Sequence, residues 1–354
     1  MTRTIRIGTR EVGPGHPAFV IAEAGVNHNG SPDLALRLVE EAAASGVDCV
    51  KFQTFKAERV ATPGAPKAAY QLEVTDPNES QIAMLRALEL TESAYPSLIQ
   101  ACAKANLLFM STPYNEEDIA FLVGLDVPAI KLASIQAAEP SLLRAAARTG
   151  RPIILSTGMC TMAEVKQAVD IVYGAGNRDL ILLQCTTNYP SAIADANLRA
   201  MIAMRDQLDI MVGYSDHTET DTSCIAAVAL GASVIEKHFT LDKRMPGPDQ
   251  PTSLEPVEMA RLMTHIRETE RAMGTGIKQP AASEARNIPG MRRGIVARRA
   301  IAKGAVIAAE DLILKRPLSD VPPSAWDRVV GAKAARAIAE GHALAWADLE
   351  GSVQ

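Results

Sequence analysis

Short apolar runs recur through the first 240 or so positions of the chain, and amphipathic stretches separate them. The runs at 18–24, 49–53, 107–111, 129–133, 152–156, 180–185, 210–214 and 233–238 are rich in Val, Ile, Leu and Ala. They predict eight strands. Between them, 32–45, 116–124, 139–149, 162–175 and 222–230 carry apolar residues at helical spacing. Alternating strands and helices imply parallel pairing through right-handed crossovers. The runs are apolar nearly throughout, as in strands covered on both faces. Eight such units predict an α/β fold of the (β/α)8 TIM barrel type. The competing architecture is an open doubly wound sheet, but no GxGxxG turn follows any of the runs.

Two departures from this rhythm bear on organisation. The stretch between Gln53 and Leu107 is far longer than the other connections, holds Thr62-Pro63-Gly64-Ala65-Pro66 and Asp76-Pro77-Asn78, and ends in a predicted helix near 81–90. Extra length after a barrel strand lies on the active-site face and reads as a partial lid. After a helix at 256–273, Gly274-Thr275-Gly276 and Gln279-Pro280-Ala281-Ala282 break the pattern. The chain is therefore divided into a catalytic barrel at 1–280, a linker at 281–290 and a small β-rich module at 291–354. A module of this size buries little of its surface and is marginal alone.

Composition narrows the function classes. Hydrophobic residues make up 47% of the 354 positions, which excludes a disordered chain. Lys and Arg total 36 against 41 Asp and Glu, with no basic block, so no nucleic-acid partner is expected. The longest apolar run, Cys224 to Ile235, is too short for a membrane span, and no signal-like segment follows Met1. Five cysteines without CxxC spacing fit a reducing compartment, and the expectation is a cytoplasmic protein.

Barrel enzymes carry their chemistry at the C-terminal strand ends. Here those ends hold Glu23, Lys51 and Gln53, Thr112, Lys131 and Ser134, Ser156, Thr187-Asn188-Tyr189, Ser215-Asp216-His217 and Glu236-Lys237-His238. Lysines in a barrel mouth are costly to bury without a compensating anion. Lys51 and Lys131 with a ring of Ser and Thr suit a phosphate beside a carboxylate; the alternative is structural ion pairs. His217 and His238 fall on successive strands about 4.8 Å apart, so both imidazoles can reach one ion. Nitrogen ligands completed by oxygens suit Mn²⁺, Fe²⁺, Co²⁺ or Zn²⁺; the alternative is two hydrogen-bonded core histidines. His28 sits in an Asn27-His28-Asn29-Gly30 turn. His16, His265 and His342 are read as surface or packing residues, and Cys185 as core. Neither HExxH nor GxSxG is present.

Several motifs together resemble the sialic acid (N-acetylneuraminate) synthase family. They are Ala22-Glu23-Ala24-Gly25 with Asn27-His28-Asn29-Gly30, Lys51-Phe52-Gln53-Thr54, Ser111-Thr112-Pro113, Lys131-Leu132-Ala133-Ser134, Ser156-Thr157-Gly158-Met159, Gly213-Tyr214-Ser215-Asp216-His217, Glu236-Lys237-His238-Phe239 and Pro246-Gly247-Pro248-Asp249. The tail, through Arg292-Arg293 and Lys315-Arg316-Pro317, is similar to that family's antifreeze-like (SAF) domain. The resemblance implies a transferase that condenses phosphoenolpyruvate with an N-acetylmannosamine-type sugar to a nine-carbon 2-keto-3-deoxy acid and releases phosphate. It implies that Lys51, Thr112, Lys131, Ser134, Ser156, Thr187, Asn188 and Ser215 hold phosphoenolpyruvate, and that His217 and His238 hold a divalent metal, Mn²⁺ first, with Mg²⁺ or Co²⁺ as alternates. Glu23, Gln53, Gln136 and Asp249 form the implied catalytic set, and Tyr189 and Arg316 the sugar contacts. Arg316 would act across a domain-swapped homodimer. The chain departs from the family at Gln136, where an acidic residue is usual, at Gln250, where His is common, and at Leu318-Ser319-Asp320, where glycines are common. Those departures leave open a legionaminate-, pseudaminate- or spore-coat-type sugar, or a catalytically silent sugar-binding homologue.

Overall fold

The computed structural model describes residues 3–351. A short antiparallel hairpin, β1 (Ile5–Ile7) and β2 (Arg10–Val12), comes first and was not foreseen. The eight predicted strands follow as β3 (Phe19–Gly25), β4 (Cys49–Thr54), β5 (Leu108–Pro113), β6 (Ile130–Leu132), β7 (Ile153–Ser156), β8 (Leu180–Cys185), β9 (Met211–Asp216) and β10 (Val234–His238). They pair in parallel in the order β5-β4-β3-β10-β9-β8-β7-β6. Every neighbour is therefore the next strand in the chain except where β10 closes onto β3. This is a nearly closed TIM barrel, with its one unladdered seam between β5 and β6 among the described residues. The Gln136 side chain spans that seam by donating to the Pro113 carbonyl at 2.6 Å.

Successive strand residues point to opposite faces, and two apolar clusters separate accordingly. Val20, Ala22, Val50, Phe109, Ile130, Leu155, Leu182, Val212 and Ile235 pack outward against the helices. Phe19, Ile21, Cys49, Met110, Ile154, Ile181, Leu183, Met211 and Val234 fill the barrel's lower interior, where Ile5, Ile7 and Val12 of the hairpin join them. The hairpin thus plugs the N-terminal end. Gly213 is required by this packing: a Cβ there would lie 2.3 Å from the Val234 carbonyl oxygen. The helices form by ordinary means. In Pro32–Ala44, Ser31 accepts from the Leu34 amide, Pro32 opens the first turn, and Ala35, Leu38, Val39 and Ala42 make the buried stripe.

Between β4 and β5 the chain makes short helices at Ala57–Val60, Ala69–Val74 and Gln81–Ala87 before the helix Tyr95–Lys104. The predicted helix near 81–90 is present but shorter, and Tyr95–Lys104, which packs on the barrel, was missed. So was Leu198–Leu208 between β8 and β9. The insertion has a small apolar cluster of its own, Met84 and Leu88 against Val26 and Phe55.

The chain divides into two compact units, Met1–Gly274 and Thr275–Gln354. The second pairs β11 (Gly294–Ala297) with β12 (Leu312–Lys315) in antiparallel fashion around Ile295, Ile301, Ile307, Val321, Ile338 and Leu344. It is an internal duplication. Arg299, Ile301, Gly304, Asp311 and Leu312 recur at the same spacing as Arg336, Ile338, Gly341, Asp348 and Leu349. The halves meet where Ile301 and Ile338 exchange backbone bonds of 2.8 and 2.9 Å. Each half anchors its turn the same way: Asp311 accepts from the Ala308 amide (2.8 Å) and from Arg299, and Asp348 from the Ala345 amide (2.8 Å) and Arg336 (2.5 Å). Composition and turn counting miss this repeat, which shows only when the halves are laid at equal spacing.

The Ala308 amide and Arg299 hold the Asp311 carboxyl below its usual range. For Asp348 burial opposes the shift, but the Ala345 amide, Arg336 and His342 outweigh it. A depressed folded-state pKa gives stability that is present above the ordinary Asp value near about 4 and is lost as pH falls through the folded value. Protection of the Ile301 and Ile338 amides, taken as their exchange rate relative to that of the unfolded chain at the same pH, is therefore expected to fall below about pH 4, and less steeply in Asp348→Asn. An identical pH profile in that variant would refute the assignment.

Candidate active site

The parity that fills the lower barrel with apolar side chains puts the next inward residues at the C-terminal mouth. One strand step of two residues leads from Ile21 to Glu23, Cys49 to Lys51, Met110 to Thr112, Ile154 to Ser156 and Val234 to Glu236. These residues line a cavity of about 150 Å³, together with Gln53, Lys131, Ser134, Tyr189, His217, His238 and Asp249.

Lys51 and Lys131 are buried, and their charges are compensated within the protein. Lys51 Nζ lies 2.5 Å from Glu23 Oε2, 3.8 Å from Glu236 Oε1 and donates to Thr112 Oγ1 at 2.9 Å. Lys131 Nζ donates to Ser156 Oγ at 2.9 Å and lies 3.4 Å from Glu236 Oε1. Of the two readings, anion cradle and structural ion pairs, the structure shows the ion pairs. Glu23 comes from β3, beside Lys51 on β4, and Glu236 from β10, one strand further on. Burial pulls the Lys51 pKa down, but Glu23 and Glu236 more than offset it, so the group sits above its ordinary value. Burial dominates at Lys131 and lowers it. Glu236 Oε2 is buried without a hydrogen-bond partner among the described residues.

The two strand-end imidazoles face each other with ring centroids 5.2 Å apart. His217 Nδ1 is 2.6 Å from the Thr186 carbonyl. In the neutral ring, donation there leaves Nε2 with its lone pair; burial pulls the His217 pKa down, but Cys185 and the Thr186 carbonyl outweigh it and raise the group. His238 Nδ1 is buried with no hydrogen-bond partner among the described residues, 3.8 Å from Asp249 Oδ2. Burial, His217 and the lysines push the His238 pKa well below the usual value, which keeps the ring neutral. Burial raises Asp249 to about 6. Tyr189 stacks on His217 at 4.0 Å, and Tyr70 on Tyr189 at 4.8 Å.

Of the remaining predicted residues Ser134 lines the cavity, whereas Thr187, Asn188, Ser215, Gln136 and Arg316 do not. Ser134 Oγ accepts from the Gly158 amide (2.9 Å), and a Cβ on Gly158 would strike both Ser134 Oγ and Thr187 Oγ1. Ser215 Oγ donates to Glu236 Oε1 at 3.4 Å. Asn188 is exposed and its amide turns to the Pro190 carbonyl. The Gln136 amide is spent on backbone, accepting from the Ala133 amide at 2.7 Å and donating to Pro113, and the residue does not line the cavity. Arg316 lies in the second unit, exposed, donating to the Met291 carbonyl at 3.0 Å. Glu236, Tyr114, Tyr70 and Gln71 line the cavity without having been assigned a role. Parity alone would have found Glu236, two residues before His238. Tyr114, which donates to Gln53 Oε1 at 3.0 Å, and the pair from the insertion carried no sequence signal.

A model of the NeuB family matches residues 38–278, and a SAF domain model matches residues 292–350. The chain belongs to the NeuB family. It is 42% identical over 347 residues to the N,N'-diacetyllegionaminic acid synthase of Legionella pneumophila, covering 97% of this chain and 98% of that one. It is 35% identical over 311 residues to the human N-acetylneuraminate-9-phosphate synthase, covering 86% and 85%. The crystal structure of an N-acetylneuraminic acid (sialic acid) synthetase from Leptospira borgpetersenii in complex with citrate superposes with a TM-score of 0.73 at 33% identity, covering 81% of this chain and 96% of that one. These relatives are synthases, and this NeuB-family chain is an enzyme of the same kind.

Behind the mouth of this NeuB barrel, the residues before the two imidazoles point outward and meet. Lys237 Nζ contacts Asp216 Oδ2 at 2.7 Å, and both side chains are fully buried. Asp216 also accepts from Ser223 (2.8 Å), Tyr214 (2.9 Å) and the Thr218 amide (2.9 Å), while Lys237 donates to the Thr218 and Thr220 carbonyls. The pair ties β9 to β10 just below His217 and His238. Breaking one partner of a buried, satisfied pair costs about 3–5 kcal/mol. Lys237→Met is expected to lower stability by that order in urea unfolding, and adding Asp216→Asn should recover part of it. An unchanged midpoint in the single variant would refute the role.

Proposed function

We propose that the chain condenses phosphoenolpyruvate with an open-chain acylamino aldose of N-acetylmannosamine type, giving a nine-carbon 2-keto-3-deoxy acid and phosphate, with a divalent metal at His217 and His238. What supports this reading is the convergence, in one cavity, of two imidazoles, two lysines and the Thr112 and Ser156 hydroxyls. The orphaned Nδ1 of His238 fits a metal ligand. Among the described residues no three His, Cys, Asp or Glu side chains form a complete metal site, so water and substrate oxygens would complete the shell. Mn²⁺, with Mg²⁺ or Co²⁺ as alternates, accepts such mixed ligation.

When bound, the ion would supply Lewis-acid polarisation of the acceptor aldehyde. Carbon 3 of phosphoenolpyruvate forms the new bond to the aldehyde carbon, water adds at carbon 2, and phosphate leaves from carbon 2. Lys51, Lys131, Thr112, Ser134 and Ser156 would hold the phosphate and carboxylate charges in preorganised positions, with Ser215, Thr187 and Asn188 at the margin. An entering anion competes with Glu23 for Lys51. Freed of that partner, Glu23 becomes a buried carboxylate able to take or give a proton beside Gln53, whose amide donates to Glu23 Oε1 at 3.1 Å. Asp249 and Tyr189 would face the sugar. The same reading makes the enzyme cytoplasmic and a homodimer with exchanged small domains, in which Arg316 meets the acylamino group. A diacetylated acceptor is the second reading, favoured by the 42% identity to the Legionella synthase.

Phosphate release is to be measured with a panel of singly and doubly acetamido-substituted aldoses. Release that needs both sugar and metal, and stops with chelator, is the expected result; none with any acceptor would return the protein to a silent sugar-binding role. His217→Ala should abolish release while circular dichroism stays unchanged, and retained turnover would remove it from the ligand set. Glu23→Gln, by uncovering Lys51, should tighten phosphoenolpyruvate binding by about tenfold (~1.4 kcal/mol) in calorimetry while lowering turnover. Weaker binding would show that Glu23 helps hold the anion. Arg316→Ala should raise the KM for sugar more than that for phosphoenolpyruvate; equal effects would argue against the exchanged contact.

A further inference from the structure

The rim of the cavity is built largely by the insertion between β4 and β5, through Tyr70, Gln71, Met84, Leu85 and Leu88. None of them has a part in the chemistry above. Three rings run in a column from this rim inward: Tyr70 against Tyr189 (4.8 Å, 35°), and Tyr189 against His217 (4.0 Å, 32°). With its faces engaged in that column, Tyr189 is poorly placed to stack on a sugar. Tyr70 is the aromatic surface left at the outer end. The Asp249 carboxylate is close enough to add to burial in pushing the Tyr70 phenol up.

Tyr70 is also held in place. Gln71 Oε1 accepts from the Ala68 amide at 3.0 Å, and Gln71 Nε2 points to the Tyr70 hydroxyl at 3.4 Å. The hydroxyl therefore accepts from Gln71, and among the described residues nothing accepts its proton. The turn that carries it is clamped by buried Lys67, whose Nζ reaches Thr75 Oγ1 (3.0 Å), the Asp76 carbonyl (2.8 Å) and Glu79 Oε2 (3.1 Å). A fixed aromatic wall with a free donor, on the lining of the same cavity as the lysines, discriminates between acceptors by the groups they carry. We infer that Tyr70 is a specificity-determining residue for the acceptor sugar, reading its substituents with its ring face and donating its hydroxyl to a substrate oxygen. This inference rests on the function proposed above.

The test compares kcat/KM for N-acetylmannosamine and for an aldose bearing two acetamido groups in the full-length protein with Mn²⁺. Pocket walls of this kind alter discrimination by about 10- to 200-fold. Tyr70→Ala is expected to change the ratio of the two kcat/KM values by about tenfold or more, with the KM for phosphoenolpyruvate unchanged. Tyr70→Phe, which keeps the ring column and so guards against misfolding, should lower kcat/KM for the preferred sugar by about tenfold and leave phosphoenolpyruvate untouched. If both sugars change equally, or the phosphoenolpyruvate KM rises in step, Tyr70 is not the selectivity residue. If the parent protein turns over neither sugar, the proposed function falls and this assignment with it; turnover by the parent with an unmoved ratio sinks this assignment alone.

Discussion

Side chains of a strand alternate between two faces, and in an eight-stranded barrel one of those faces is an enclosed interior. That constraint organises the whole catalytic unit. Inward positions are apolar at the lower level, where Phe19, Ile21, Met110, Ile181 and Met211 pack against the hairpin plug. Two residues further along β3, β4, β5, β7 and β10 they turn polar, and the same register that closes the lower core gathers Glu23, Lys51, Thr112, Ser156 and Glu236 at the mouth. A one-residue slip in β10 would send Glu236 and His238 into the helical layer and bring Lys237 inside. The buried Asp216–Lys237 pair stands against such a slip, because Lys237 satisfies its protons only when it faces outward.

Electrostatics at the mouth follow from this crowding. Two ammonium groups and three carboxyl groups, Glu23, Glu236 and Asp249, within one small cavity are individually expensive to bury and jointly tolerable. The compensation is uneven. Lys51 has two carboxylates and rises above its ordinary pKa, whereas Lys131 has only a long contact to Glu236 and falls below it. A site so balanced has a net charge that an incoming anion or cation readily tips. That suits a substrate pair in which one partner is strongly anionic and the other neutral. The imidazoles stand to one side, one with a nitrogen tied to Thr186 and the other with a nitrogen left bare.

The insertion and the small unit solve separate problems. The insertion carries a polar clamp of its own at Lys67 and leans on the barrel through Met84 and Leu88 against Val26 and through Tyr70 against Tyr189. The small unit doubles one turn motif about the Ile301–Ile338 exchange and caps each copy with an aspartate. A domain this small gains stability by using the same satisfied turn twice.

The amino-acid pattern alone determined the strand–helix alternation, the barrel and the convergence of lysines, hydroxyls and two histidines at one end, while it ended the barrel at 280, past the Gly274 that closes the first compact unit. All of these depend on local periodicity and on strand parity, which a sequence displays directly. Motif resemblance supplied the family. Tertiary structure decided what periodicity cannot encode. Glu23 and Glu236 neutralise the lysines because of lateral distance between strands, and Gln136 is consumed in bridging the β5–β6 seam. Tyr70 and Gln71 reach the cavity because an insertion without regular spacing folds back over it. Such contacts join residues far apart in the chain, and only the packed barrel sets their distances.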